Sequence, residues 1–157
     1  MVERSKSFRT KTLRLLVGES KIIDRACDAL NGMERSQLVQ EAVIAEATRL
    51  GIRWTASAVE PLKKPWPYMP ERGEEVTADR ISITVSLSVA ELISRAAEHV
   101  HASEPFFIAG ATLAHIGRLQ AFFTAAHADS PEEARAIKAA LEKIRLPPQY
   151  QYPRRTT

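Results

Sequence analysis

The chain has 157 residues, of which 45% are hydrophobic and 26% charged, with a formal net charge of +3. That mix is ordinary for a globular protein and excludes a wholly disordered chain. One cysteine, Cys27, rules out an internal disulfide and a thiolate zinc cluster.

Charge is unevenly spread: Arg4, Lys6, Arg9, Lys11 and Arg14 crowd the opening residues, with Glu3 as their lone counter-charge. Residues 1–9 therefore read as a basic arm, suited to a polyanion or simply to solvent. The arm lacks an apolar signal core, and no stretch has the apolar length of a membrane span, so a cytoplasmic, bacterial protein is expected. From Thr10 to Val17 the sequence alternates. Leu13, Leu15 and Val17 share one face, and Thr10, Thr12 and Arg14 the other, the period of a half-buried strand. A helix from about Glu19 carries Ile22, Ile23, Ala26, Cys27 and Leu30 on one side, and Asn31-Gly32 ends it. Cys27 is expected to be a buried structural thiol. The next helix starts near Glu34, with Glu34 and Gln37 as reciprocal caps, and runs through Leu38, Val39, Ala42 and Val43 to Gly51. Residues 10–51 form a first unit.

Residues 52–79 lose all periodicity. Pro61, Pro65, Pro67 and Pro70 interrupt any helix, and Lys63-Lys64 and Glu74-Glu75 favour water, so this is a proline-rich linker. Trp66 and Tyr68 are expected to clamp it to the fold rather than to form a ligand site. At about 3.3 Å per extended residue the linker reaches easily across a small domain.

The second unit, 80–128, opens with strict alternation in Arg80-Ile81-Ser82-Ile83-Thr84-Val85. Ser88 and Glu91 form a capping box for a helix ending near His101-Ala102. Ser103 caps another that begins Glu104-Pro105 and passes Ile108, Leu113, Ile116 and Leu119 toward Phe122-Phe123. An extra helix within 130–146 starts from a Ser130–Glu133 capping box and carries Ala134, Ile137, Leu141 and Ile144 on one stripe. Pro147-Pro148 stops it, leaving 147–157 as a tail.

The two units are copies. Ile23-Asp24-Arg25-Ala26 aligns with Ile93-Ser94-Arg95-Ala96 at a constant offset of 70, without a gap. In that register Leu13, Leu15 and Val17 fall on Ile83, Val85 and Leu87, Leu38 falls on Ile108, and Val43 on Leu113. A strand followed by two helices cannot bury its own apolar face, so each copy is the natural partner of the other. The predicted fold is mainly α with a two-stranded antiparallel ribbon, a tandem pseudo-dimer plus an extra C-terminal helix. Pairing of each unit with its copy in a second chain remains an open arrangement.

Other chemistry is poorly represented. His99 and His101 lie on different helix faces, and His115 and His127 lack a zinc-type Cys or carboxylate pattern. There is no glycine-rich phosphate loop and no nucleophile elbow, and Asp24, Asp28 and Glu41 read as exposed helix positions. No enzyme, metal or cofactor is expected.

The strand Arg80–Ser86 resembles that of the ribbon-helix-helix family, and Gly32-Met33-Glu34-Arg35-Ser36 resembles the turn before that family's second helix. The first unit is also similar to the antitoxin branch. The tandem arrangement, with Lys64-Pro65-Trp66-Pro67-Tyr68 in the linker and Phe122-Phe123 at the end of the long last repeat helix, resembles the fused ribbon-helix-helix proteins of conjugation and T-DNA transfer. The likeness covers about two-thirds of the chain. It implies a partner, double-stranded DNA, whose major groove admits a two-stranded ribbon. Base contacts would come from Thr10, Thr12, Arg14, Arg80, Ser82 and Thr84, and phosphate contacts from Arg9, Lys11, Arg35, Ser36 and Ser103. Glu104-Pro105-Phe106 departs from the family's phosphate-binding turn, because it has no base and gains aromatics. The implied role is a transcriptional regulator or an accessory factor in plasmid or T-DNA processing. The alternative is an antitoxin that neutralises a toxin and represses its own operon. Self-association on DNA and a protein partner at the 130–146 helix are open additions to either role.

Overall fold

In the computed structural model, residues 8–15, 18–52, 66–68, 79–125 and 130–146 are described. The basic residues Arg4 and Lys6, the strand-end Val17 and the tail 147–157 lie outside them. Two strands, β1 (Phe8–Leu15) and β2 (Asp79–Ser86), pair antiparallel into one ribbon. Thr12 faces Ser82 at its centre, and these two residues are equivalents in the 70-residue repeat. The repeat's pseudo-two-fold axis thus passes through that pair. β1 begins two residues ahead of the expected Thr10, so Phe8 and Arg9 belong to the strand and not to the arm.

Alternation divides the ribbon into two faces. Leu13, Leu15, Ile81, Ile83 and Val85 are buried beneath the helices, each contributing about 1.5–3 kcal/mol by leaving water. The helices are α1 (Glu19–Ala29), α2 (Arg35–Arg49), α3 (Leu87–Val100), α4 (Glu104–Ala125) and α5 (Pro131–Lys143). Their packing is crossed. α2 of the first copy lies against β2 of the second, α4 of the second lies against β1 of the first, and α2 and α4 make the largest helix contact. Leu38, Val39 and Val43 of α2 join Phe107, Ile108, Leu113 and Ile116 of α4 in one core with Ile23, Leu92 and Ile93. Neither copy closes a core without the other.

The helix ends follow local chemistry. Asn31 and Gly32 both adopt left-handed backbone (φ 62° and 74°), and the Gly32 and Met33 amides return to the Cys27 carbonyl. α2 ends in a Schellman turn, where Ile52 N–H reaches the Ala47 carbonyl at 2.9 Å and Gly51 sits at φ 79°. Two expected caps differ. Glu34 occupies the N-cap position of α2 without any side-chain hydrogen bond, so the reciprocal pair with Gln37 is not made. α3 is capped by Ser86, whose Oγ accepts from Val89 N–H at 3.3 Å, and not by Ser88. The helix therefore begins at Leu87, which turns outward and is 39% exposed instead of continuing the buried face of the strand. Ser130 caps α5 as expected, accepting from Glu133 N–H at 3.1 Å. α5 rests on α1 and α4: Ile144 and Leu146 are buried, Ile137 and Leu141 half-buried, and Ala134 exposed. No helix among the described residues is long and apolar enough to cross a membrane.

Candidate functional site

The face of the ribbon turned away from the helices carries polar side chains from both strands in register. Arg14 faces Arg80, Thr12 faces Ser82, Thr10 faces Thr84 and Phe8 faces Ser86. Thr10, Arg80, Ser82 and Thr84 are exposed, and Thr12 and Arg14 are half-buried. All six residues expected to contact bases are thus gathered on one surface.

The hydrogen bonds around β2 define its geometry. Thr84 N–H donates to Ser36 Oγ at 3.1 Å, and Ser86 N–H donates to Gln40 Oε1 at 2.9 Å, both on α2. These amides point away from β1, so alternate residues from Arg80 to Ser86 occupy non-hydrogen-bonded sites of the ladder. Facing Cα atoms there approach to about 4.5 Å, closer than at the intervening pairs. The same bonds cover the open edge of β2. Arg14 and Arg80 are therefore near neighbours of like charge, an unfavourable cross-strand pair. Neither meets a carboxylate among the described residues.

The residues expected to contact phosphate are scattered. Lys11 shares the parity of Leu13 and Leu15, so it lies on the helical side, where its Nζ pairs with Glu104 Oε1 at 2.7 Å. Arg9 has the same parity but is exposed, and its guanidinium donates to the Phe8 carbonyl at 2.9 Å. Arg35, in the first turn of α2, pairs with Asp24 at 2.7 Å across an exposed contact. Ser36 beside it holds the Thr84 amide. Ser103 is exposed ahead of α4, and its carbonyl accepts from Phe107 N–H at 2.9 Å. The two helix starts differ in charge: α2 opens with Arg35, and α4 opens with Glu104, already neutralised by Lys11.

A second cluster lies in the core between α2, α4 and the linker. Glu46 has no exposed surface, yet Arg49 Nη2 (2.5 Å), Trp66 Nε1 (2.9 Å) and Arg118 Nη2 (2.9 Å) all reach its carboxylate. Burial pushes its pKa up, but hydrogen bonds from Arg49 and Trp66 and the charges of Arg118 and Arg49 outweigh it and hold the group below the usual range. Trp66 stacks on Phe107 (centroids 5.1 Å apart), Tyr68 meets Trp66 edge-on, and Arg118 donates to the Tyr68 hydroxyl at 3.0 Å. Trp66 and Tyr68 are thus a clamp, as their position between prolines indicated. Glu46 and Arg118 were not singled out from the sequence. The available signal was an acid on the apolar stripe of α2, four residues after Ala42 and three after Val43.

Cys27 is buried, and burial foremost, then Asp24, pushes its thiol pKa up against the opposing charge of Arg35, as expected for a structural thiol. Among the described residues no three His, Cys, Asp or Glu side chains converge as a metal site would require. Comparison with protein-family models, curated proteins and solved structures finds no match to this chain.

Proposed function

We propose that the protein is a non-enzymatic, double-stranded-DNA-binding protein that seats its ribbon in the major groove, in the manner of the fused ribbon-helix-helix proteins it resembles. The observation that carries this reading is the exposed outer face. Two arginines and four hydroxyls, drawn from both strands, align in register on the face opposite the buried Leu13, Leu15, Ile81, Ile83 and Val85. Arginine offers a bidentate donor to guanine, and hydroxyls serve as permissive donors or acceptors. The uncapped first turn of α2, with Arg35 beside it, supports a backbone contact, because amides at a helix start favour an anion. Its bond to Asp24 joins two half-exposed side chains and is worth at most about 1 kcal/mol, so a phosphate competes readily for Arg35.

Such a protein acts in the bacterial cytoplasm as a transcriptional regulator or as an accessory factor in plasmid or T-DNA processing. The antitoxin alternative draws on the first unit's likeness to that branch and on an apolar stripe of Ile137, Leu141 and Ile144 after Ser130. Ile144 is buried in the protein's own core and Ile137 and Leu141 are half-buried, so the stripe offers a partner only part of its surface, and we do not adopt the alternative.

The test is a fluorescence-anisotropy titration of a labelled mixed-sequence duplex at several salt concentrations. The Arg14→Ala/Arg80→Ala protein is expected to bind at least about ten-fold more weakly than the unaltered chain. Arg35→Ala is expected to weaken binding to every duplex and to lower the salt slope by about one. Unchanged curves for the double variant reject the assignment.

A further inference from the structure

The outer face of the ribbon is polar from end to end in a second sense. At one end Arg14 and Arg80 stand opposite each other, at the centre are Thr12 and Ser82, and at the other end are Thr10 with Thr84 and then Phe8 with Ser86. In the 70-residue repeat Arg14 is equivalent to Thr84, and Arg80 to Thr10. The pseudo-two-fold axis therefore relates arginine to threonine, and both cationic side chains fall on the same side of it. Phe8 is 47% exposed on this face, so its ring and the threonine methyls give the far end an apolar character that the arginine end lacks.

Resting on the DNA-binding reading above, we infer that the ribbon recognises a non-palindromic duplex site, with guanine under the Arg14–Arg80 end and thymine under the Phe8–Thr10–Thr84 end. Three arguments carry the inference. Two arginines standing opposite each other across the ribbon, without a carboxylate among the described residues, are relieved by acceptors placed between them, and guanine offers two on one edge. Threonine methyls and a phenyl ring match the thymine methyl, which is the apolar feature of the major groove. The arginine pair lies two residues from the ribbon's centre, about 7 Å at the rise of a strand, which corresponds to roughly two base pairs along the groove. The guanine position is thus expected about two base pairs to one side of the site's centre, with no guanine counterpart on the other side. The helix starts are unlike as well: Arg35 adjoins Ser36, which holds Thr84 of the threonine end, whereas Glu104 opens α4 already paired with Lys11.

The experiment uses the full chain and a pool of duplexes with a random core between fixed flanks. Bound duplexes are sequenced, and affinities for the selected duplex and its single-base-pair variants are measured by anisotropy. A site with guanine on one side of its centre and A·T pairs on the other is expected. Replacing that guanine is expected to weaken the unaltered protein about ten-fold or more. The charge-conserving variants Arg14→Lys and Arg80→Lys keep affinity for duplexes lacking that guanine within a few-fold but lose part of the guanine preference, because an ammonium lacks the planar fork that matches two acceptors on one edge. Phe8→Ala relaxes the thymine end and leaves the guanine end untouched. A palindromic selected site, or a guanine preference unchanged in both lysine variants, overturns the inference while leaving DNA binding intact. Failure of the unaltered chain to enrich or bind any duplex overturns the DNA-binding reading itself, and the inference falls with it. Coincident thermal unfolding of the variants and the unaltered chain verifies that each comparison is between folded proteins.

Discussion

A carboxylate with no exposed surface persists in α2 because three donors converge on it, and each comes from a different part of the chain. Removing Glu46 strands Arg118, which is 21% exposed, and leaves the Trp66 indole N–H unpaired. Arg49 reaches solvent, so the expected cost of Glu46→Ala falls at the lower end of the roughly 3–5 kcal/mol seen when a buried ion pair loses one member. Urea denaturation at neutral pH measures it. The pKa direction adds a pH dependence. Because folding lowers the Glu46 pKa beneath its ordinary 4.5, the unfolded chain takes up a proton first as pH falls. The stabilisation is complete above about pH 4.5 and is lost as pH drops through the folded-state value. The stability of Glu46→Gln is therefore expected to fall less steeply between pH 5 and pH 3 than that of the unaltered chain. A parallel decline in both proteins contradicts this account. At this scale the sequence was partly legible. Strand parity alone sets Lys11 with Leu13 and Leu15, away from Thr10 and Thr12, and so foretells its place on the helical side. Its partner Glu104 lies 93 positions away, beyond any local pattern.

Elements were easier to foresee than the contacts between them. Alternation revealed both strands, and the glycines and serines at helix ends marked most boundaries within two residues. At α3 the cap moved by two residues: Ser86 competes with Ser88 for the same role and prevails because the strand's last residue already has the extended backbone of a cap. The linker's anchorage depends on a feature visible only in three dimensions. A Cβ added to Gly110 of α4 would stand 2.6 Å from Trp66 Cη2 and 2.9 Å from the Tyr68 carbonyl oxygen. Gly110→Ala gains up to about 1 kcal/mol of helix propensity but forces backbone and ring apart, an overpacking cost of about 1–3 kcal/mol. The clash is expected to win. A net loss of about 1–2 kcal/mol is predicted, with Trp66 emission shifted to the red when measured in a Trp54→Phe background. Emission that does not move means the segment accommodates the methyl without lifting.

For the molecule as a whole, the two copies complete one another within a single chain. The offset of 70 required only that some equivalent pair lie on the axis if the strands paired internally, and the structure puts Thr12 and Ser82 there. What the repeat left open was whether the partner is the same chain or another, since identical apolar faces satisfy both arrangements. Internal pairing predicts a denaturation midpoint that stays constant over a hundred-fold dilution, whereas assembly from two chains lowers it by mass action. Sedimentation across the same range is expected to give the mass of one chain.

Joining the strands through a linker also changes how the ribbon is inherited. In an assembly of identical polypeptides any codon change is expressed on both sides of the dyad, so a pair of arginines at one end must recur at the other. Here each strand is encoded separately, and a single nucleotide substitution alters one end while the opposite end keeps its chemistry. Duplication followed by divergence therefore gives this ribbon a heading, a property that identical halves related by rotation cannot acquire one mutation at a time.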